Sequence, residues 1–276
     1  MADNSNLNRA HAAKDDEWYT CAADADGIVS RYAADLRGRR VLCPCDSERS
    51  AFYISLRVRY KELGLGALIA THRAPGGISY GIYYDGARET RRALDWDGDI
   101  LGPRFAAFCA ANGIDLILTN PPFSIEGRFI EELDGIGMDY VLMAPYLIGI
   151  KKAVFNIIRD RRAYMERLPC QRFLRPDGSV AALGNVDIIA TIGTQRARAL
   201  PAEGASVATL RRIDGPDDIV NIDSISDLPR GYAGRVCAPG RILEYDLSEY
   251  DIIGIIHHPT IGGVRKFTRI IIQRRI

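Results

Sequence analysis

Apolar positions along the chain switch repeatedly between the period of a helix and that of a strand. Residues 24–36 place Ile28, Val29, Tyr32, Ala33 and Leu36 on one helical face, with Gly38 just beyond as a stop. Residues 40–45 then read as a strand. Ser47 is placed to cap a helix that turns Phe52 and Leu56 inward and runs to Leu63, where Gly64 ends it. Residues 67–71, Ala-Leu-Ile-Ala-Thr, form a second strand. Residues 72–97 are less regular: Pro75-Gly76-Gly77 predicts a turn, and 78–84 alternate in the manner of an exposed hairpin arm. Residues 104–111 are helical and 115–119 are a buried strand, followed by a helix over 126–133, a strand over 140–144 and a basic helix over 151–162. Beyond about residue 168 the pattern turns β-rich and loop-rich, with strands over 187–192 and 267–272 among Gly, Pro and Asp clusters.

Strands alternating with helices of this length predict an α/β fold, a mostly parallel sheet with helices on both faces. Right-handed crossovers would bring the C-terminal ends of its strands to one edge, where open α/β sheets bind ligands. Three chemically unusual segments fall at such ends: residues 43–46, 97–100 and 120–123.

Composition narrows the class. With 276 residues, 47% apolar and 26% charged, the chain has the balance of an ordinary globular protein. Its apolar runs are interrupted by Pro and Gly and fall short of a membrane span, and its polar start lacks an apolar signal core, so no membrane association and a cytoplasmic location are expected. The six cysteines are scattered, and Cys43-Pro44-Cys45 has no second pair or nearby His to complete a zinc site, so reduced thiols and no metal are expected. His257-His258 likewise reads as a loop. Charge is uneven: residues 1–150 carry 16 Lys+Arg against 21 Asp+Glu (−5), and residues 151–276 carry 20 against 14 (+6). An acidic half followed by a basic half fits a catalytic body joined to a polyanion-binding surface.

Asn120-Pro121-Pro122-Phe123 carries the most specific chemistry. An exocyclic amine of adenine or cytosine is a poor nucleophile, because its lone pair is delocalised into the ring. Two fixed acceptors, the Asn120 side-chain amide oxygen and the Pro121 carbonyl, could take its hydrogens and steer the nitrogen toward tetrahedral geometry, ready to attack a sulfonium methyl. The prolines lock the backbone direction, and Phe123 offers a flat face for an extruded base. A neutral thioether leaves, so positioning does most of the work.

The strand and loop Asp115-Leu116-Ile117-Leu118-Thr119-Asn120-Pro121-Pro122-Phe123 resembles the catalytic segment of amino-directed DNA methyltransferases. More narrowly, the chain resembles the EcoRI modification methylase family of adenine-specific enzymes. That likeness is carried by Ala13-Lys14-Asp15-Asp16-Glu17-Trp18-Tyr19-Thr20, Val41-Leu42-Cys43-Pro44-Cys45-Asp46, Glu62-Leu63-Gly64-Leu65 before Leu68-Ile69-Ala70-Thr71, Asp97-Gly98-Asp99, Asn221-Ile222-Asp223 and the closing residues 267–275. The resemblance implies a Rossmann-like class I methyltransferase fold using S-adenosylmethionine. Residues 1–165 would form the cofactor-binding and catalytic core, and residues 166–276 a β-rich region with DNA-target recognition elements. Trp18, Tyr19 and Thr20 would surround the methionine end of the cofactor. The first cofactor strand would end at Cys45 and Asp46, but Ser47-Glu48-Arg49-Ser50 replaces the usual glycines, so the turn must take another conformation. Which of Cys45, Asp46 and Ser50 touches ligand stays open. Asp99 with Ile100 would hold the cofactor's adenine, with Asp97 as the alternative.

The interval between the first cofactor strand and the catalytic loop is filled by sheet elements, so target recognition should follow the loop. Lys151, Lys152, Arg159, Arg161, Arg162 and Arg172 are the candidates for phosphate contact. Double-stranded DNA is the expected partner, with a separately encoded restriction endonuclease as a possible companion of a prokaryotic or phage-encoded enzyme. The tetrapeptide also serves cytosine-N4 methylation, and RNA is a weaker option. A nucleic-acid-binding module with a degenerate cofactor site is the competitor from another class. A nicotinamide enzyme is disfavoured, since no Gly-x-Gly-x-x-Gly turn follows the first strand.

Overall fold

The computed structural model describes residues 19–74, 77–168, 172–174, 179–182, 185–193, 197–198, 207–215, 218–228 and 231–275. The chain forms two compact units, Met1–Pro145 with Arg167–Gly193, and Tyr146–Glu166 with Thr194–Ile276.

In chain order the first unit contains β1 (Tyr19–Thr20), α1 (Ala22–Arg31), β2 (Arg40–Pro44), α2 (Ala51–Val58), α3 (Tyr60–Leu63), β3 (Ala67–His72), β4 (Tyr80–Tyr84), β5 (Glu89–Ala93), α4 (Arg104–Ala111), β6 (Leu116–Thr119), α5 (Glu126–Gly135) and β7 (Asp139–Pro145). The chain then contributes α6 (Lys152–Arg159) and β8 (Tyr164–Glu166) to the second unit, and returns for β9 (Arg172–Leu174), β10 (Val180–Ala182) and β11 (Val186–Ala190). The strands of the main sheet lie in the order β5-β4-β3-β2-β6-β7-β11. Its centre is parallel: β3 with β2, β2 with β6, and β6 with β7. The flanks are antiparallel, through β3–β4, β4–β5 and β7–β11. The α/β class holds, while parallel pairing is confined to the centre. The central strands are buried along nearly their whole length, which is why they read as continuous apolar runs. Val41, Cys43, Leu116, Leu118, Val141 and Met143 share a core cluster with Ile28 and Val29 of α1 and Phe52 and Leu56 of α2. Alternation points Leu42, Ile117 and Leu142, equally buried, to the opposite face.

Three local expectations are corrected. Ser47 does not cap the helix: its backbone N–H donates to Ser50 Oγ at 2.8 Å, the turn closes on itself, and α2 begins only after Ser50. The helix also breaks at Arg59 before Gly64 ends α3 in the left-handed region, φ 64°. Nor is β4 an exposed arm: it lies between β3 and β5 with Tyr80 and Ile82 buried, because both of its edges are paired.

The second unit completes the chain with β12 (Ala197–Arg198), β13 (Ile219–Asn221), β14 (Arg235–Pro239), β15 (Tyr245–Asp246), β16 (Tyr250–Ile256), β17 (Thr260–Ile261), β18 (Val264–Arg265) and β19 (Arg269–Arg274). Its sheet runs β13-β14-β19-β16, around Ile213, Ile219 and Cys237. Buried Arg269 of β19 pairs with Asp223 at 2.7 Å and so ties the Asn221-Ile222-Asp223 segment to the closing strand. The basic helix is shorter than its charge pattern predicts, ending at Arg159, with Arg161 at φ 61° just beyond.

Candidate active site

Register brings the three unusual segments to one edge of the sheet. Pro44 of β2 is level with Thr71 of β3, and β6 runs parallel beside β2 to end at Thr119. On the other side His72 faces Tyr80, which faces Ala93, so the chain leaves β5 toward Asp97 at that same edge.

The turn after β2 is built without glycine. Cys45 itself takes φ 62°, a conformation that a side chain resists and glycine adopts freely. This lets the Asp46 backbone N–H donate to the Thr71 carbonyl at 3.1 Å while its side chain turns inward. The Thr119 hydroxyl donates to the Pro44 carbonyl at 2.7 Å and also meets the Asp46 carboxyl at 3.3 Å. The ends of β2, β3 and β6 are thereby laced together one residue before Asn120. Burial pushes the Asp46 carboxyl up to about 7, against the smaller opposing effect of hydrogen bonds from Ser50 and Thr119. The same burial, with Asp46 nearby, raises the Cys43 thiol well above its usual range.

Asn120 is half-buried at this edge, and Pro121 is buried behind it. The Ile125 N–H donates to the Pro122 carbonyl at 3.1 Å, turning the loop into α5, whose first residue, Glu126, is also buried. Phe123 is only 3% exposed and belongs to the same core cluster as Met143 and Phe173. In this conformation its ring closes the core, so stacking on a base requires the loop to turn outward.

Of the N-terminal candidates, Trp18 lies outside the described residues. Tyr19 pairs with Leu174 through the backbone of β1, and Thr20 is buried with its hydroxyl 3.4 Å from Met143 Sδ. Asp97 and Asp99 form a tight turn around Gly98: Asp97 Oδ1 accepts from the Asp99 N–H at 3.1 Å, and Asp99 Oδ1 from the Leu101 N–H at 3.0 Å. Ile100 is buried behind them. A cleft of about 480 Å³ opens beside this turn, lined by Arg73, Ser79, Leu94, Trp96 and Asp97 among others.

Three residues to which the sequence assigned no site role stand out. Arg73, at the end of β3, sits 3.6 Å from Asp97 and 3.7 Å from Asp99. Thr71 and Asp24 are buried, and Thr71 Oγ1 and Asp24 Oδ2 have no hydrogen-bond partner among the described residues. A buried acid in the first turn of the helix after Thr20 was visible in sequence only as an ordinary helix-start residue.

The basic candidates divide. Lys151 and Lys152 are exposed. Arg159 and Arg162 are exposed but lie 2.9 and 3.7 Å from Asp160. Arg161 is spent on structure, donating to the carbonyls of Leu247 and Tyr250 at 3.1 and 2.7 Å. Arg172 lies in β9, and its side chain is outside the described residues.

Comparison with known proteins bears out the resemblance read from the sequence. Residues 6–99 match the family described as adenine-specific methyltransferase EcoRI. The chain is 28% identical over 182 residues to the type II methyltransferase M.EcoRI of Escherichia coli, covering 59% of this chain and 56% of that protein. It is 31% identical over 159 residues to the type II methyltransferase M.MpnI of Mycoplasma pneumoniae, covering 57% and 49%. The chain thus spans about half the length of the curated relatives it matches. No solved structure matches it significantly. The family match ends at Asp99, so it and the Asn120 tetrapeptide are separate observations.

Proposed function

We propose that this chain is a DNA methyltransferase that transfers the methyl group of S-adenosylmethionine to the N6 amine of an extruded adenine. One observation carries the proposal: an Asn-Pro-Pro-Phe loop leaves the end of a buried central strand directly beside the end of β2, in a chain whose first third matches an adenine-specific methyltransferase family. The sheet order with its parallel centre is compatible with a Rossmann-like class I methyltransferase core.

A buried carboxylate oxygen without a hydrogen-bond partner among the described residues, Asp24 Oδ2, supports a place for a cationic group of the cofactor. Buried Asp24 and Thr20 would receive the ammonium and carboxylate of its methionine end, with Trp18 and Tyr19 in the same N-terminal segment. Asp46, Cys45 and Ser50 would line the turn beneath it, and Asp99, Ile100 and Asp97 would take its adenine. When bound, the cofactor supplies an electrophilic methyl on a cationic sulfur. The Asn120 side-chain oxygen and the Pro121 carbonyl would accept the two hydrogens of the target amine and so direct its lone pair. The prolines would hold both acceptors in place, and Phe123 would stack on the base after the loop turns outward. Phosphate contacts fall to Lys151, Lys152, Arg159 and Arg162, with Arg172 the remaining candidate. Double-stranded DNA as substrate, a restriction endonuclease as companion, a division into an N-terminal catalytic core and C-terminal recognition elements, and a cytoplasmic setting follow from the same proposal. Among the described residues no helix is long and apolar enough to cross a membrane.

Nucleoside mass spectrometry of DNA from cells expressing the chain tests the base. N6-methyladenine is expected; N4-methylcytosine in its place would reassign the target, and neither would remove the function.

A further inference from the structure

The β17–β18 hairpin of the second unit turns at Gly262 and Gly263, whose backbone N–H groups both donate to the Asp214 carboxylate at 2.9 Å. The Asp214 N–H donates in turn to the Thr260 carbonyl at 2.9 Å, and the Lys266 N–H to the Pro259 carbonyl at 2.8 Å. The hairpin is therefore held at turn and base, with little freedom left to lose on binding.

What this braced element presents to solvent is both apolar and cationic. Phe267 is 87% exposed, and Val264 of the same hairpin 54%. Arg265 is exposed between them, and the Arg211 guanidinium lies 3.7 Å from where a side chain would begin at Gly262. Several other arginines of this unit are paired locally: Arg159 with Asp160, Arg235 with Asp218, Arg274 with Glu249 and Arg275 with Asp251. Arg211 and Arg265 have no carboxylate partner among the described residues.

We propose that this hairpin is a contact to duplex DNA, in which Arg211 and Arg265 meet backbone phosphates and Phe267 wedges against the bases. It rests on the DNA methylation proposed above and locates part of the target-binding surface. Two guanidinium groups without a carboxylate partner among the described residues, one beside the hairpin turn and one two residues before a bare aromatic ring, match a duplex, with phosphates for the cations and a base step for the ring. An enzyme that must extrude a base gains from such a wedge, because unstacking is the cost of reaching its substrate.

The test uses the full chain and a short random-sequence duplex. In Phe267→Trp, emission in excess of the wild-type protein's is expected to be quenched as duplex is added, and to recover as salt is raised. Phe267→Ala is expected to weaken binding roughly five- to a hundred-fold. Arg211→Ala with Arg265→Ala is expected to flatten the slope of log affinity against log salt by about 2. Duplex binding with an unchanged slope and no change in emission at position 267 would overturn the hairpin contact while leaving DNA binding intact. So would a response to anionic lipid vesicles but not to duplex. Failure of the wild-type chain to bind any duplex would instead strike the DNA function beneath the proposal.

Discussion

Asn120 and Asp46 are the residues on which the proposed chemistry turns, and they fail in different ways when changed. Asn120→Ala removes an acceptor that would act only on the target amine, so cofactor binding should survive. Methyl transfer should fall by roughly 100-fold or more, by analogy with the loss of one group that stabilises a transition state; calorimetry with the cofactor and a methylation assay separate the two effects. Asp46 is a buried carboxyl with no ion-pair partner among the described residues, and its folded-state value lies near 7 against 3.8 for the ordinary side chain. The folded protein therefore holds a proton there that the unfolded chain has released. Its contribution is complete below about pH 4 and is lost as pH rises through 7, at about 1.4 kcal/mol per pH unit across that window. Thermal unfolding between pH 5 and 8 should show the decline, and Asp46→Asn should flatten it; an equal slope in the variant would contradict the assignment.

At the scale of elements, the turn after β2 shows what the sequence could and could not disclose. The absence of glycine there announced an unusual turn, but not that Cys45 would adopt the left-handed conformation, since only the pull of the Asp46–Thr71 and Thr119–Pro44 hydrogen bonds requires it. Cys45→Gly should consequently fold with at most a small change in melting temperature, whereas Cys45→Val should melt below the wild type, because β-branching adds to a left-handed cost that the cysteine already bears. Comparative denaturant melts measure both. The helix start was misplaced for a related reason: Ser47 and Ser50 are both good caps by type, and only the self-closed turn decides between them. The central strands and α4 were legible because burial on both faces leaves an unbroken apolar run, and a helix leaves a 3.6-residue stripe. β4 was misjudged because its alternation reports which residues face the core, not whether its edges are paired.

For the whole molecule, charge asymmetry pointed toward a polyanion partner without saying which cations are available to it. The structure sorts them by occupation: Arg161 is committed to carbonyls and Arg159 lies against Asp160, while Arg211 and Arg265, outside the basic stretch that follows Ile150, form no ion pair among the described residues. Ion pairing across β-strands is set by register and loop path, which no linear pattern of charge contains. The site was legible where its chemistry is local, as in the tetrapeptide. The rest was hidden where it depends on segments distant in sequence meeting, as with Arg73 beside Asp97 and Asp99. The most direct test of the central claim is methylation-aware sequencing of DNA from a host expressing the wild-type chain and, in parallel, the Asn120→Ala variant. N6-methyladenine at a defined sequence context in the first and its absence in the second is the predicted result; unmodified adenine in both, or equal modification in both, would contradict it.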